Sequence, residues 1–550
     1  MSVHATNNPD DSLPSSRSDS PTEINNPTRT ALSAYEIEGD GRPPFVLSVP
    51  ELKLLGIAGV GFFLDAYDLF IINPVATMLQ FRLYGGDPLP SNLEGFMKAG
   101  ANIGSVIGQF GFGFAADYYG RKAVYGKELV LIIFATIMCL TTPTGQLSPA
   151  SCLIYLAIWR IVLGVGVGGD YPMSASVSTD RAHLRRRGVL LSYIFANQGW
   201  GSLVGSLATI IVLACYKSVM SGGDHTSKLD GVWRIVVGLS LIPAFGTLYQ
   251  RLTLPESKRY EESRRNHDDE ETIEALKEKQ AAEEAASQST DKEKKGASVT
   301  TTAAAAKAKD IADAKKNHFA EFFAYFSEWR HLKILLGTTL SWFFLDIAFY
   351  GINLNQNVVL QQIGFDGSGG TPWERLFDIG IGNLIVTALG FVPGYYATVL
   401  TIEYLGRKWI QIQGFLLEAL FLGILAGRFY SLSKVSFIVC FAFLQFFFNF
   451  GANTTTYCYP AEVFPTKFRA TAHGISAASG KAGAIISALV FNSLTKKIGT
   501  PNVLWIFVGC CIAGAFVTLL LPEVKGRDPD LIYQEELRVR DHEEKLMDSR

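Results

Sequence analysis

Charged residues are scarce along two long stretches of this chain, residues 54–255 and 331–521. Of its 49 basic and 51 acidic residues, 58 lie outside these stretches, in residues 1–53, 256–330 and 522–550. Roughly a tenth of the remaining residues are charged, against about a quarter in a typical soluble chain. A body so poor in charge cannot cover itself with a hydrated surface. We therefore expect an integral membrane protein.

Several other classes of protein are disfavoured by the same sequence. The net charge is −2 and acids alternate with bases, so no basic face for nucleic acid is expected. The seven cysteines lie in or beside apolar runs, without CxxC spacing or a disulfide framework. No HExxH motif or nucleophile elbow is found, so we expect no enzyme, no metal and no cofactor. The first fifty residues do not resemble a signal peptide.

The two apolar stretches divide into twelve runs that are long enough to cross a membrane. A hydrocarbon core of about 30 Å needs about 20 apolar residues in a helix. The runs cover roughly residues 54–80, 93–116, 129–146, 152–178, 188–215, 231–251, 334–357, 379–400, 409–427, 436–459, 470–494 and 502–521. The sequence therefore predicts an all-α polytopic membrane protein with 12 transmembrane helices.

Three polar segments are predicted to lie outside the membrane. Residues 1–48 are rich in Ser, Pro, Asn and Asp, which is typical of a disordered tail, whereas residues 256–330 form a charged linker and residues 523–550 a charged tail. Short loops on the side of these segments carry about 2.8 basic residues each, against about 1.3 on the opposite side. Both tails and the linker are therefore expected in the cytoplasm, where kinases or the ubiquitin machinery are candidate regulators.

Two short motifs occur twice, each pair separated by six predicted spans. The copies are residues 117–122 (DYYGRK) and 403–408 (EYLGRK), and residues 254–258 (LPESK) and 521–525 (LPEVK). Chance would rarely place both repeats at the same offset. The chain is therefore predicted to contain two six-helix pseudo-repeat bundles, residues 49–255 and 331–522, joined by the linker. Secondary transporters use such repeats for alternating access.

The first repeated motif resembles a known superfamily. Residues 113–122 are similar to the hallmark loop between spans two and three of the major facilitator superfamily, and residues 160–164 to a second signature of it. The resemblance implies the major facilitator fold. An acid and a paired arginine at helix ends can also bond across the two halves and release when the halves rock, although the alternative is charge that only sets topology. The gating candidates are Asp117, Arg121, Glu403 and Arg407.

Seven charged side chains lie well inside the predicted spans, where each costs several kcal/mol and is a functional candidate. They are Asp65, Asp68, Arg160, Asp170, Asp346, Glu418 and Lys481. The alternative for each is a structural ion pair or a snorkelling side chain. Glu418 has no assigned role and is expected to face another helix in its protonated form. Four other charges are expected to reach water near span ends: Glu94, Lys98, Arg234 and Arg251.

One helical stripe of span seven carries three side chains with polar groups. Trp342, Asp346 and Tyr350 are spaced i, i+4 and i+8, so they lie on one face, which is expected to line a cavity. The alternative is an aromatic pair packed around one isolated Asp. Lys481 in span eleven is expected to attract an anion or to neutralise Asp346. Uncharged donors in spans five and ten suit a polyatomic oxyanion.

Three segments resemble the phosphate:proton symporter family, and most closely its fungal inorganic phosphate permeases. They are residues 63–70 (FLDAYDLF), 168–175 (GGDYPMSA) and 459–466 (YPAEVFPT). The resemblance implies a phosphate site formed by Tyr171, Gln198, Trp342, Asp346, Tyr350, Asn453 and Lys481. It also implies proton coupling through Asp65, Asp170 and Asp346. One departure is Asp180, where the family usually has Glu.

The expected function is proton-coupled import of inorganic phosphate across the plasma membrane. Asp346 is expected to accept a hydrogen bond from a P–OH group, or to donate one in its protonated form, and sulfate has no such proton at neutral pH. Protons that travel with the anion would offset about 2.3 kcal/mol per charge per 100 mV of membrane potential. Two alternatives stay open: a same-fold transporter of a glycerophosphodiester or a carboxylate, and a phosphate-sensing receptor that signals through the linker.

Overall fold

Backbone placed in hydrocarbon must satisfy its own hydrogen bonds, so apolar runs are expected to fold as helices. The computed structural model describes residues 43–220, 226–263, 265, 319–356, 360, 364–365 and 370–548, and these contain helices and no strand. Most of the predicted tail 1–48 and of the predicted linker lies outside the described residues.

The described part of the first half contains eight main helices. They are α1 (Val49–Phe70), α2 (Ile72–Tyr84), α3 (Ser91–Tyr119), α4 (Lys127–Leu140), α5 (Pro149–Arg181), α6 (Arg187–Cys215), α7 (Leu229–Gly238) and α8 (Leu241–Leu252). The pairs α1–α2 and α7–α8 each form one span.

In the described part of the second half, eight further main helices and a C-terminal one follow. They are α9 (Trp329–Asn353), α10 (Pro372–Val386), α11 (Val392–Leu405), α12 (Arg407–Arg428), α13 (Lys434–Asn449), α14 (Ala452–Val463), α15 (Arg469–Ile498), α16 (Thr500–Thr518) and α17 (Pro529–Asp548). The pairs α10–α11 and α13–α14 each form one span. The bounds of the two predicted bundles stay a prediction.

Eleven segments of the described chain are long and apolar enough to cross a membrane. They coincide with eleven of the twelve predicted runs, which confirms an all-α multi-span protein. The twelfth run corresponds to α3, which has 29 residues but is rich in glycine and in polar side chains. Because α3 is long enough to span, the structure is consistent with twelve spans, and the count of twelve stays a prediction.

Four spans that were predicted as continuous contain an irregular turn. Pro74, Pro243 and Pro393 each lie within the four residues that follow such a turn, and a proline cannot donate to the carbonyl four residues earlier. In the span of Pro393 the chain forms the π-helical turn Thr387–Phe391. The fourth irregular turn contains Gly451, between α13 and α14.

Close packing of α3 against α5 depends on glycine. A Cβ atom at Gly104 or Gly108 would overlap backbone of α5, and one at Gly164 or Gly168 would overlap backbone of α3. Small residues let helices approach when lipid supplies no hydrophobic drive for association. The alternating glycines of α5 therefore permit the close approach of α3.

We predict that Gly104→Val destabilises the protein, because its side chain would collide with the backbone of α5. Overpacking typically costs about 1–3 kcal/mol, and the loss should appear as a lower melting temperature of the detergent-purified protein. Gly111→Val on the same helix is the matched control, since no atom lies within 4 Å of its Cβ position. Equal melting temperatures for the two variants would contradict this packing.

Candidate functional site

A hydrogen-bonded cluster joins three helices of the first half. Tyr171 of α5 donates its hydroxyl to Asp65 Oδ2 of α1 at 2.5 Å. Gln198 of α6 donates to the same carboxyl oxygen at 3.0 Å and to the Tyr171 hydroxyl at 2.8 Å. All three side chains are buried. Three helices of the first half therefore meet on one carboxyl group.

The hydrogen bonds continue into the second half through Tyr395 of α11. Its hydroxyl donates to Gln198 Oε1 at 3.2 Å and accepts from Asn453 Nδ2 at 2.9 Å. Asn453 of α14 also donates to Asn449 Oδ1 at 2.8 Å. Tyr395 was not among the site residues predicted from the sequence. The one local indication of its role is Pro393, two residues earlier, which bends the helix.

Lys481 of α15 supplies the positive charge of the cluster. Its Nζ atom donates to the Tyr350 hydroxyl at 2.5 Å and lies 3.8 Å from Asp346 Oδ2. It also lies 5.0 Å from the ring centre of Tyr171, whose ring is 6.1 Å from that of Trp342. The structure thus brings the predicted stripe of α9 together with the residues of the first half.

The chemistry of the cluster suits an anion that carries protons. The Lys481 ammonium, two amides and three phenol hydroxyls are hydrogen-bond donors, which match the oxygens of a tetrahedral oxyanion. Two carboxyl groups, Asp65 and Asp346, face a single ammonium in the same buried space. A bound anion would be repelled by two carboxylates, so at least one proton should enter with it.

Aromatic side chains close the cluster on both sides. Phe70, Phe349 and Phe391 pack together on the side away from the tails, and we call them the far-side plug. Phe70 also stacks on Tyr350, with 6.3 Å between the ring centres. The tail-side plug consists of Phe62, Phe195 and Tyr457, whose rings lie 4.6–5.3 Å apart. The residues of the cluster are thus buried, with aromatic rings packed on both sides of them.

Asp170 lies outside this cluster, although it precedes Tyr171 in α5. Its two carboxylate oxygens accept from Arg251 at 2.9 and 3.2 Å, and Ser174 donates to it at 2.6 Å. Arg251 lies 3.2 Å from Glu128 as well. Asp170, Arg251 and Glu128 therefore form a separate buried triad.

The expectation that Arg251 and Lys98 reach water is wrong. Arg251 is 1% exposed, because the end of α8 packs against α1 and the guanidinium also donates to the carbonyl of Ile57. Lys98 is 2% exposed and pairs with Glu94 at 2.7 Å. The sequence shows that both charges lie near the ends of spans, but it does not show that each has a partner that keeps it buried.

Arg160, another buried charge of α5, ties three helices together. It donates to the backbone carbonyls of Asp68 and Met97, each at 3.1 Å. These contacts join α1 and α3 to α5 and fit the structural alternative for Arg160.

The first copy of the repeated loop motif bonds across the two halves. Asp117 accepts from the backbone amides of Ala470 and Thr471, at 3.2 and 2.7 Å, where α15 begins. Arg121 lies 3.3 Å from Asp117 and donates to the carbonyl of Thr466 at 2.9 Å. A carboxylate at a helix N-terminus is favourable because the free amides there carry partial positive charge.

The second copy of the loop motif forms its ion pairs within its own half. Arg407 pairs with Glu403 at 2.8 Å and with Glu462 at 2.7 Å, while Glu523 accepts from the Arg407 amide at 3.1 Å. These partners all belong to the second half. Among the described residues, Glu403 and Arg407 therefore form no ion pair across the halves in this structure, since acids of their own half surround the arginine, and their gating role stays a prediction.

The C-terminal segment joins the contacts around the first copy. Arg469 forms a buried ion pair with Asp180 of α5, and Asp530 accepts from the amide and hydroxyl of Thr466 at 2.5 and 2.7 Å. Arg259, beyond the end of α8, donates to Asp530 at 2.9 Å. We call this set, together with Asp117 and Arg121, the tail-side gate.

Asp530 stays ionised in this gate. Burial favours its neutral form, but Arg469, Arg259 and the hydrogen bonds from Thr466 outweigh burial and hold the pKa of the carboxyl well below its usual range. A depressed pKa stabilises the folded contact above the ordinary pKa of Asp, and that stability is lost only as pH falls through the lowered value. The contact is therefore complete at neutral pH.

Comparisons with known proteins agree with this architecture. A family model described as "Sugar (and other) transporter" matches residues 54–535. The inorganic phosphate transporter PHO84 of Saccharomyces cerevisiae is 37% identical over 91% of this chain and 86% of its own length. The repressible high-affinity phosphate permease of Neurospora crassa is 37% identical over 91% and 88%.

Solved structures share the fold. The proton:xylose symporter XylE of the major facilitator superfamily, bound to 6-bromo-6-deoxy-D-glucose, aligns with a TM-score of 0.65 at 21% identity, over 88% of this chain and 98% of that one. An inward-open form of XylE from E. coli aligns with a TM-score of 0.59 at 20% identity, over 88% and 99%. The expected major facilitator fold is confirmed.

We predict that Arg469→Ala shifts the protein toward a conformation that is open on the tail side. Breaking one partner of a buried ion pair typically costs about 3–5 kcal/mol, and here it falls on the closed gate alone. Spin labels at the exposed positions Ala123 and Tyr404 should report longer distances by pulsed electron paramagnetic resonance. Arg540→Ala, an exposed charge of α17, is the control and should leave the distances unchanged. Unchanged distances in Arg469→Ala would contradict the gate.

Proposed function

The chain belongs to the sugar (and other) transporter family of the major facilitator superfamily, and from this premise we propose that it is a proton-coupled symporter importing inorganic phosphate by alternating access. The family consists of transporters, so the expectation that the chain is not an enzyme is confirmed. The relatives at 37% identity are named for phosphate.

One observation supports phosphate most directly, namely the position of Lys481 between Asp346 and Tyr350. The ammonium attracts the anion, and the phenol and amide groups around it donate to the phosphate oxygens. Asp346 accepts a hydrogen bond from a P–OH group, so a protonated phosphate is preferred to sulfate. In this role Tyr171, Gln198, Trp342 and Asn453 complete the lining.

Protons enter through the carboxyl groups that phosphate would otherwise repel. Asp65 and Asp346 share the cluster, and protonation of either one reduces the negative charge that the anion meets. Asp170 acts at a distance in this proposal: its protonation weakens the pair with Arg251. Because Asp170 and Tyr171 are neighbours in α5, a shift of that helix after Asp170 is protonated would also move the Tyr171 hydroxyl relative to Asp65.

The cycle is a rocking of two bundles, which we place at residues 49–255 and 331–522. The tail-side gate and the far-side plug open alternately in this cycle. We assign the protein to the plasma membrane, with both tails and the linker in the cytoplasm, where kinases and the ubiquitin machinery are candidate partners.

The alternative substrates are less well supported. A glycerophosphodiester or a larger carboxylate needs room beyond the cluster, but both plugs contact the residues of the cluster directly. A sensor that signals through the linker needs no second carboxyl group beside the anion. The proposed import therefore uses more of the observed groups than either alternative.

We predict that Asp346→Asn abolishes uphill phosphate uptake. The variant cannot take up a proton at this position, and accumulation of labelled phosphate in proteoliposomes with an imposed pH gradient should fall at least about tenfold. Asp87→Asn, at an exposed acid in the loop after α2, should accumulate phosphate like the unmodified protein. Sulfate in excess should not compete in either case. Uphill uptake at the wild-type rate by Asp346→Asn would contradict the role of Asp346.

For Asp170→Asn we predict loss of proton-driven accumulation with retention of phosphate exchange. The neutral amide removes the charge that pairs with Arg251 but leaves the phosphate cluster intact. Counterflow of labelled phosphate at equal pH should therefore persist within about threefold of wild type, while uphill uptake is lost. Loss of phosphate binding in this variant would show that Asp170 has a different role.

A further inference from the structure

Glu418 is a buried carboxyl group that the proposed mechanism does not use. It lies midway along α12, with no exposed surface. Cys511 of α16 donates its thiol to Glu418 Oε2 at 3.6 Å, and Oε1 has no hydrogen-bond partner. The described residues offer it no ion pair. A carboxyl group in such surroundings is tolerated as the neutral acid.

The group lies at the break between α13 and α14. The backbone leaves the helical conformation at Phe450 and is extended at Gly451, with φ −177° and ψ −134°. Gly414, one turn before Glu418 on α12, packs so tightly on Gly451 that a Cβ atom on either residue would overlap the other. A Cβ at Gly451 would also lie 3.4 Å from Glu418 Oε1.

A helix that begins inside a membrane leaves its first backbone amides without partners. Such amides must find acceptors within the protein, since hydrocarbon supplies none. Ala452, the first residue of α14, follows Gly451, and the unpartnered Glu418 Oε1 lies beside Gly451. An acceptor oxygen at this position is favourable for the same reason that Asp and Asn cap soluble helices.

The opposite side of the same break carries the amides of the cluster. Asn449 ends α13 and Asn453 is the second residue of α14, and the two are joined by a 2.8 Å hydrogen bond. Asn453 also holds the Tyr395 hydroxyl. A displacement at the start of α14 therefore moves Asn453 within the phosphate site.

We propose that Glu418 is a positioning residue that seats the start of α14 and thereby sets the position of Asn453 toward phosphate. The inference rests on the proposed function, because the effect of Glu418 is measured as a change in the KM for phosphate. The carboxyl acts as a hydrogen-bond acceptor, so its charge is not required.

The test compares variants that keep or remove the acceptor, in full-length protein reconstituted in proteoliposomes with labelled inorganic phosphate. Glu418→Gln retains an acceptor oxygen and should keep KM within about threefold of wild type. Glu418→Leu removes the acceptor and should raise KM at least about tenfold, with a smaller change in maximal rate per folded transporter. Cys511→Ala removes only the thiol and should leave KM unchanged.

Glu418→Asp keeps the acid but withdraws it from the start of α14 by one methylene, and it should also raise KM. This variant preserves the test if Glu418→Leu does not fold. A wild-type KM in Glu418→Asp or in folded Glu418→Leu would overturn the proposal, as would a Gln variant with the KM defect of Leu. Failure of the unmodified protein to take up phosphate would instead overturn the proposed function.

Discussion

A membrane interior gives an ionised side chain no water, so each charge must find its counter-charge within the protein. Lys481 meets this constraint for the whole central cluster. It is hydrogen-bonded to Tyr350, lies near Asp346 and faces the ring of Tyr171 from the other half. Because the cluster contains no second cation among the described residues, the carboxyl groups of both halves depend on this one ammonium.

Helix α5 links the three charged regions of the molecule. Asp170 belongs to the triad with Arg251, Tyr171 to the cluster, and Asp180 to the tail-side gate. The glycines of the same helix seat it against α3 without side chains between them. The three charged regions are therefore joined by one continuous helix rather than by loops.

The spans could be predicted because hydrocarbon enforces long apolar helices, and the stripe of Trp342 and Asp346 because the helical period fixes which residues share a face. The family resemblance also named most residues of the cluster. Other positions depend on tertiary partners that no local pattern encodes. Arg251 looked like a surface charge, Tyr395 like one more aromatic residue, and Glu403 like a partner of the other half.

One ring of each plug belongs to α1, so the distance between the two plugs along this helix is fixed. Phe62 and Phe70 stand eight residues apart on α1, which at a rise of 1.5 Å per residue is about 12 Å. Asp65, on whose carboxyl group three helices meet, lies between these two rings on the same helix. The distance between the two plugs along α1 is therefore set by the helix and not by loops that could lengthen it.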